Sequence, residues 1–89
     1  MVKKEVTVLN ATGLHARPAS MFVQTAGKFK SKIFVIKEGN SINAKSIMGI
    51  MTLAANKGSI LEIEISGKDE AAAMDAITAL INNYFEEGE

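Results

Sequence analysis

The alternation in residues 61–65 constrains the fold more than any other feature of the sequence. Leu61, Ile63 and Ile65 are separated by Glu62 and Glu64. Successive side chains of a β-strand point to opposite faces of its sheet, so this segment predicts a strand with one buried face and one face in water. Helices then cover the other face only, which is the arrangement of an open-faced sandwich.

The remaining elements are predicted from periodicity and turn residues. Strands are expected at residues 2–9, 32–37 and 42–44, with a hairpin connection in which Gly39 and Asn40 suit left-handed geometry. Helices are expected at 16–26, at 47–54 and from about residue 70 onward, because apolar residues recur there every three or four positions. Their predicted apolar faces are Ala19, Phe22, Val23 and Ala26; Ile47, Ile50, Met51 and Ala54; and Ala73, Ile77, Leu80, Ile81 and Tyr84.

The predicted order of elements is β-α-β-β-α-β-α. The hairpin favours antiparallel pairing, so we expect an α+β fold in which a four-stranded antiparallel sheet carries three helices on one face. A chain of 89 residues is expected to form one domain, residues 1–89, since neither half of a divided chain would bury enough interior. The acidic end, residues 86–89, is expected to fray.

Charge and composition exclude several classes of function. Ten basic residues balance ten acidic ones, so no broad attraction to nucleic acid or to an anionic membrane is expected. The absence of cysteine excludes a disulfide scaffold, a thiolate nucleophile and a cysteine zinc site. The N-terminal residues contain no apolar signal core, and the apolar runs are too short to cross a bilayer. We therefore expect a soluble cytoplasmic protein.

The segment Gly13-Leu14-His15-Ala16-Arg17-Pro18-Ala19 contains the only histidine and the only proline of the chain. Proline is tolerated in a first helical turn, so His15 is predicted just outside a helix N-terminus. The positive helix end and Arg17 disfavour an imidazolium, which leaves a ring nitrogen able to attack phosphorus. Arg17 and the backbone amides of Ala16 and Arg17 can then hold the phosphate. A lone histidine at a helix start is otherwise a capping or solvent-facing residue, and this alternative stays open.

The segment around His15 has no accompanying metal-binding loop or Walker-type glycine loop, so no metal and no cofactor are expected. The phosphoryl group must then arrive from a partner. Together with Lys45-Ser46-Ile47-Met48-Gly49-Ile50, the segment resembles the HPr family, the histidine-containing phosphocarrier proteins of the bacterial sugar phosphotransferase system. The resemblance extends over the whole chain in length and element order.

This resemblance implies a carrier and not an enzyme. It implies that His15 is phosphorylated through Nδ1 by Enzyme I, itself charged from phosphoenolpyruvate, and that Arg17 assists the transfer. The IIA domains of sugar permeases would be the acceptors. Ser46 has two compatible roles, because it is a good helix N-cap and because the resemblance implies phosphorylation there by an HPr kinase/phosphorylase. The modified protein would act with catabolite control protein A in carbon catabolite repression.

A docking surface for these partners is expected beside His15. Methionines at helical spacing more often fill a core. The second helix is short, however, and Ile47 and Ile50 can satisfy its buried side, which leaves Met48 to point outward. A monomer is expected, and the predicted docking residues are Ala16, Ser20, Gln24, Lys45, Ile47, Met48 and Met51.

Three alternatives remain open from the sequence. The first is a sheet-platform RNA-binding module, which the zero net charge and 6% aromatic content disfavour. The second is an enzyme that uses His15 as a general base, which the lack of a cofactor motif disfavours. The third is a specialised paralogue that serves a nitrogen-related phosphotransfer branch, although the segment around Ser46 resembles the sugar branch more.

Overall fold

The predicted sheet is present in a computed structural model, which describes residues 1–86. All neighbouring strands are antiparallel, and their spatial order is first, fourth, second, third. Ile65 of the fourth strand lies opposite Val2 on one side and Ile33 on the other, so this strand is central and the first strand is an edge. The strands are β1 (Val2–Thr7), β2 (Lys32–Lys37), β3 (Asn40–Asn43) and β4 (Ile60–Ser66).

Three helices pack on one face of this sheet: α1 (Ala16–Gly27), α2 (Ile47–Thr52) and α3 (Glu70–Asn82). Their inward side chains and those of the strands form one hydrophobic core. No helix within residues 1–86 has the length and apolar character needed to span a membrane. The largest fully buried apolar side chains are Val8, Phe22, Ile33, Val35, Ile50, Leu61, Ile63, Ile65, Ile77, Ile81 and Phe85.

The opposite face of the sheet is in contact with solvent. Glu62 is exposed, and Glu64 is half-buried and pairs with Lys3, with 3.5 Å between the Glu64 Oε2 and Lys3 Nζ atoms. The alternation in β4 therefore separates a buried face of the sheet from a face in water, as predicted. The expected α+β open-faced sandwich, with four antiparallel strands and three helices, is confirmed.

The connection between β2 and β3 lies one residue earlier than predicted. Lys37 pairs with Asn40, which leaves a two-residue loop, and both loop residues have positive φ, 51° at Glu38 and 84° at Gly39. A type I′ turn requires this geometry, and its twist matches that of the flanking strands. Asn40 therefore begins β3, so the prediction of left-handed geometry at Asn40 is wrong. The predicted strand 42–44 begins two residues too late and ends one residue too late.

The first strand ends two residues earlier than predicted, at Thr7. Val8 nevertheless stays buried, and its backbone forms hydrogen bonds with the turn before β4. The Val8 amide donates to Ser59 O at 2.9 Å, and the Gly58 amide donates to Val8 O at 2.8 Å. The segment that follows β1 is thus tied to the segment that precedes β4.

The second helix is shorter than predicted. Its C-cap is Leu53, and Ala54 has a φ of 50°, which is incompatible with a continuing right-handed helix. Of the predicted apolar face only Ile50 is buried, whereas Ile47 and Met51 are exposed. A helix of six residues does not present a full apolar stripe to the core, and its remaining apolar side chains face solvent.

The last helix ends at Asn82, before Tyr84, the last residue of its predicted apolar face. Residues Tyr84–Glu86 have φ values of 56°, 51° and 62°, so the chain turns left-handed and Tyr84 is not part of the helix. This backbone is costly for side chains other than glycine. It buries Phe85 against Phe22, with 6.5 Å between the ring centroids, and this aromatic burial offsets the cost. The predicted fraying concerns residues 86–89, of which 87–89 lie outside the described residues.

Asp69 joins the start of α3 to the loop before β2. Its carboxylate accepts hydrogen bonds from the Lys30 amide at 2.8 Å, from the Ser31 amide at 2.9 Å and from the Ser31 hydroxyl. The Ser31 hydroxyl, followed by the Lys30 amide, lowers the pKa of Asp69 below its ordinary value. A bond from the Gly67 amide and the nearby N-terminal amine likewise lower the pKa of Glu70.

These lowered pKa values predict a stability that falls in acid. The Asp69 contribution is complete above its unfolded pKa of about 4 and is lost as the pH falls through the lower pKa of the folded state. We expect Asp69→Asn to lower the melting temperature at pH 7 and to flatten its decline as the pH falls below about 4. Thermal unfolding monitored by circular dichroism across this range measures both effects.

Asp75→Asn is the matched control, since Asp75 is exposed on the same helix. It should retain the pH dependence of the unmodified protein. Equal melting curves for Asp69→Asn and Asp75→Asn at every pH would contradict the role assigned to the Asp69 carboxylate.

Candidate functional site

His15 is the N-cap of α1 and is exposed to solvent. Its backbone is extended, with φ −83° and ψ −167°, and its side chain makes no capping hydrogen bond. Its carbonyl accepts the Ala19 amide at 2.9 Å, which closes the first helical turn. The structure therefore places the imidazole where the sequence predicts it, at the entry of a helix and accessible to a partner.

The first turn of α1 is electropositive. Arg17 is exposed, and the turn contains no acidic residue. Among residues 1–86, neither of the two ion pairs involves the Arg17 guanidinium. The amides of Ala16 and Arg17 precede the first intrahelical bond, and they lie at the positive end of the helix dipole. Pro18, which has no amide hydrogen, is buried in the same turn.

Gly13 shapes the loop that leads to His15. Its φ is +67°, which is in the left-handed region. A Cβ atom here would collide with the Ala55 carbonyl oxygen and lie 2.8 Å from the Cα atom of Asn56. Only glycine combines this φ with so close an approach. Beside it, the Leu14 amide donates to Ala55 O at 2.8 Å.

His15 borders a shallow open depression of about 190 Å³. The sequence predicts two of its lining residues as functional, His15 as the phosphorylated residue and Met51 as a docking residue. It does not point to Ala54, Ala55 or Asn56, which are distant from His15 in the chain and have no motif of their own. A positive φ at Ala54 turns the segment 54–56 toward the histidine loop. The lining residues are Thr12, Leu14, His15, Met51, Ala54, Ala55 and Asn56.

Ser46 is the N-cap of α2, as predicted. Its hydroxyl oxygen accepts the Gly49 amide at 3.1 Å, and the residue is half-buried. The preceding Lys45 is exposed, and its ammonium group donates to the carbonyl of Phe29, just after α1, at 2.7 Å. The Lys45 amide donates to the Asn43 side chain at 2.9 Å. The start of α2 is thereby tied to the end of α1.

The predicted docking residues lie on or next to the first two helices, and all of them except Ser20 are exposed. Met48 is 74% exposed, Met51 44% and Ile47 40%. On α1, the Gln24 amide group donates to the Ser20 hydroxyl at 3.5 Å, one helical turn away. Ala16, Gln24 and Lys45 are exposed, and Ser20 is half-buried. Since Met51 also lines the depression at His15, the apolar surface of α2 is continuous with the histidine site.

The chemistry of this arrangement is that of an open anion site with a nucleophile. An imidazole nitrogen can form a bond to phosphorus, and the neighbouring guanidinium and amides can stabilise the resulting dianion. The site is shallow, so water screens these charges and a phosphate there would not be trapped. Within residues 1–86, no three histidine, cysteine, aspartate or glutamate side chains are grouped to hold a metal ion.

The comparisons with known proteins agree with this chemistry. A family model described as the PTS HPr component phosphorylation site matches residues 2–83. The chain is 53% identical over 89 residues to phosphocarrier protein HPr of Neisseria meningitidis, and the match covers 100% of both chains. It superimposes on HPr of Thermoanaerobacter tengcongensis with a TM-score of 0.97 at 46% identity, and on an HPr dimer of that organism with 0.78 at 47%, each with 100% coverage of both chains. The chain therefore belongs to the HPr family, the phosphocarrier proteins of the phosphotransferase system.

Proposed function

We propose that the chain acts as one carrier domain that receives a phosphoryl group from Enzyme I on His15 and passes it to the IIA domains of sugar permeases. The observation that carries this proposal is the exposed imidazole at the electropositive start of α1 in a chain of the HPr family. We further propose that the carrier works in the cytoplasm as a monomer. The HPr dimer of Thermoanaerobacter tengcongensis provides the alternative state.

The proposed transfer is a substitution at phosphorus. The Nδ1 lone pair of His15 forms the new N–P bond while the bond from phosphorus to the donor breaks, and the donor retains that electron pair. The Arg17 guanidinium and the amides of Ala16 and Arg17 then face the phosphate. In the second step the acceptor attacks phosphorus and the N–P electrons return to the ring. A stabilisation of moderate strength suits both steps, since a deep trap would slow the second.

Phosphorylation of His15 predicts an acid-labile modification. On incubation with Enzyme I and phosphoenolpyruvate, the protein should gain the mass of one phosphoryl group and lose it in acid, because phosphohistidine is labile there and phosphoserine is not. His15→Ala should gain no such label, as measured by intact-protein mass spectrometry before and after acid treatment. An acid-labile phosphate on His15→Ala would refute His15 as the acceptor.

We propose that the exposed apolar residues of α2 form the docking surface for Enzyme I and the IIA domains. Exposed methionine side chains adapt to different partners because they are flexible and polarizable. The surface reaches His15 through Met51, so a partner seated on α2 brings its active site to the imidazole. Ala16, Ser20, Gln24 and Lys45 would form its polar edge.

Truncation of Met48 should therefore weaken docking and leave the chemistry unchanged. We expect Met48→Ala to raise the KM for Enzyme I roughly fivefold, which corresponds to about 1 kcal/mol of lost apolar contact, with little change in kcat. Steady-state phosphorylation at varied carrier concentration measures both constants. Ile60→Ala is the matched control, because Ile60 is 58% exposed but lies on the open face of the sheet. Equal KM values for the two variants would argue against the proposed surface.

We propose that Ser46 is phosphorylated by an HPr kinase/phosphorylase, and that the modified protein acts with catabolite control protein A in carbon catabolite repression. The N-cap geometry supports this proposal, since a phosphate at this position meets the amides and positive dipole of α2 and need not unfold it. The added charge would instead lie beside the exposed Met48. Regulation would then act by electrostatic obstruction of docking.

A charge at Ser46 should slow phosphorylation without a change of fold. Ser46→Asp is expected to retain nearly all backbone amide shifts and to be phosphorylated more slowly by Enzyme I. Ser46→Ala separates loss of the capping hydroxyl from addition of charge. It removes the cap, which lowers stability by about 1 kcal/mol, and it adds no charge. It should keep the normal rate. Widespread shift changes in Ser46→Asp, or an equal loss of rate in Ser46→Ala, would contradict obstruction by charge.

A further inference from the structure

Asn10 is a polar residue in the loop between β1 and α1. It is completely buried, whereas the two residues that follow it are exposed. A buried amide group is costly unless it is hydrogen-bonded, so its bonds indicate what it holds in place. These hydrogen bonds connect Asn10 to the backbone that precedes His15.

Asn10 contacts Gly13 through both its backbone and its side chain. The Gly13 amide donates to Asn10 O at 3.2 Å, and the Asn10 Nδ2 group donates to Gly13 O at 2.9 Å. The same Nδ2 group donates to the Thr12 hydroxyl at 3.3 Å. The amide and the carbonyl of Gly13 are therefore both held by one residue. The Gly13 carbonyl belongs to the peptide plane between Gly13 and Leu14, and the Gly13 amide belongs to the plane before it, so Asn10 holds one group of each plane.

The Leu14 amide, on the other side of the peptide plane between Gly13 and Leu14, is held by the segment 54–56. The Leu14 amide donates to Ala55 O at 2.8 Å, and the Leu14 side chain is buried. His15 follows immediately as the N-cap of α1. The direction in which the chain enters α1, and with it the position of the imidazole, thus depends on a plane held by Asn10 on one side and by Ala55 on the other.

We propose that Asn10 is a positioning residue for phosphoryl transfer, which holds the loop 10–14 so that the imidazole is oriented before a partner docks. This inference rests on the proposed function of His15. A pre-oriented nucleophile avoids the cost of ordering the loop in the complex, and small displacements of a reacting atom lower a rate strongly. Asn10 acts through Gly13 and does not itself contact phosphate.

The test uses Asn10→Asp, which keeps the shape of the side chain and, when ionised, has no donor for Gly13 O. We expect kcat for phosphorylation by Enzyme I to fall about tenfold while KM stays within about twofold, because the exposed surface of α2 is unchanged. Asn10→Ala should give a similar kcat loss. The backbone amide resonances of Gly13, Leu14 and His15 should shift in both variants, as measured without a partner.

Thr78→Val is the matched control for loss of a buried hydrogen bond. The Thr78 hydroxyl is buried in α3 and donates to Met74 O at 2.8 Å. This variant should lose stability but keep kcat. A normal kcat in both Asn10 variants, or an equal loss of kcat in Thr78→Val, would overturn the positioning role. Failure of the unmodified protein to accept phosphate would instead refute the proposed function, and the amide shifts would still report whether Asn10 holds the loop.

Discussion

The close approach of the loop 10–14 to the segment 54–56 is the contact on which the site depends. It exists because Gly13 has no side chain and a φ of +67°, so that the Leu14 amide reaches Ala55 O at 2.8 Å. The exposed histidine is consequently carried on a backbone that is fixed from two sides. An accessible imidazole and an ordered support are thus combined in one short loop.

The electrostatics of the site suit an anion that must leave again. The positive charge comes from one guanidinium and from the amides at the start of α1, all close to solvent. Salt and water weaken such interactions, whereas a buried cage of charges would not be screened. A carrier requires this intermediate strength, because the phosphate has to be stabilised after one transfer and released in the next.

The second helix joins this site to the surface beside it. Its N-terminus is held by the Ser46 cap and by Lys45, whose ammonium group bonds Phe29 O, and only Ile50 is inserted into the core. So short a helix leaves its methionines exposed and turns away at Ala54, toward the histidine loop. The same shortness therefore leaves an apolar surface exposed and places Met51 and Ala54 along one side of the depression at His15.

Much of this protein was predictable from local patterns: the alternation at 61–65, the spacing of apolar residues in α1 and α3, the cap at Ser46 and the helix entry at His15. These features depend on residues that are near one another in the chain, so periodicity and capping chemistry report them. The burial of Asn10, the left-handed turn that buries Phe85, and the placement of Ala54 and Asn56 beside His15 were decided only by the tertiary structure. Each of them depends on contacts between distant segments, which leave no local pattern in the sequence.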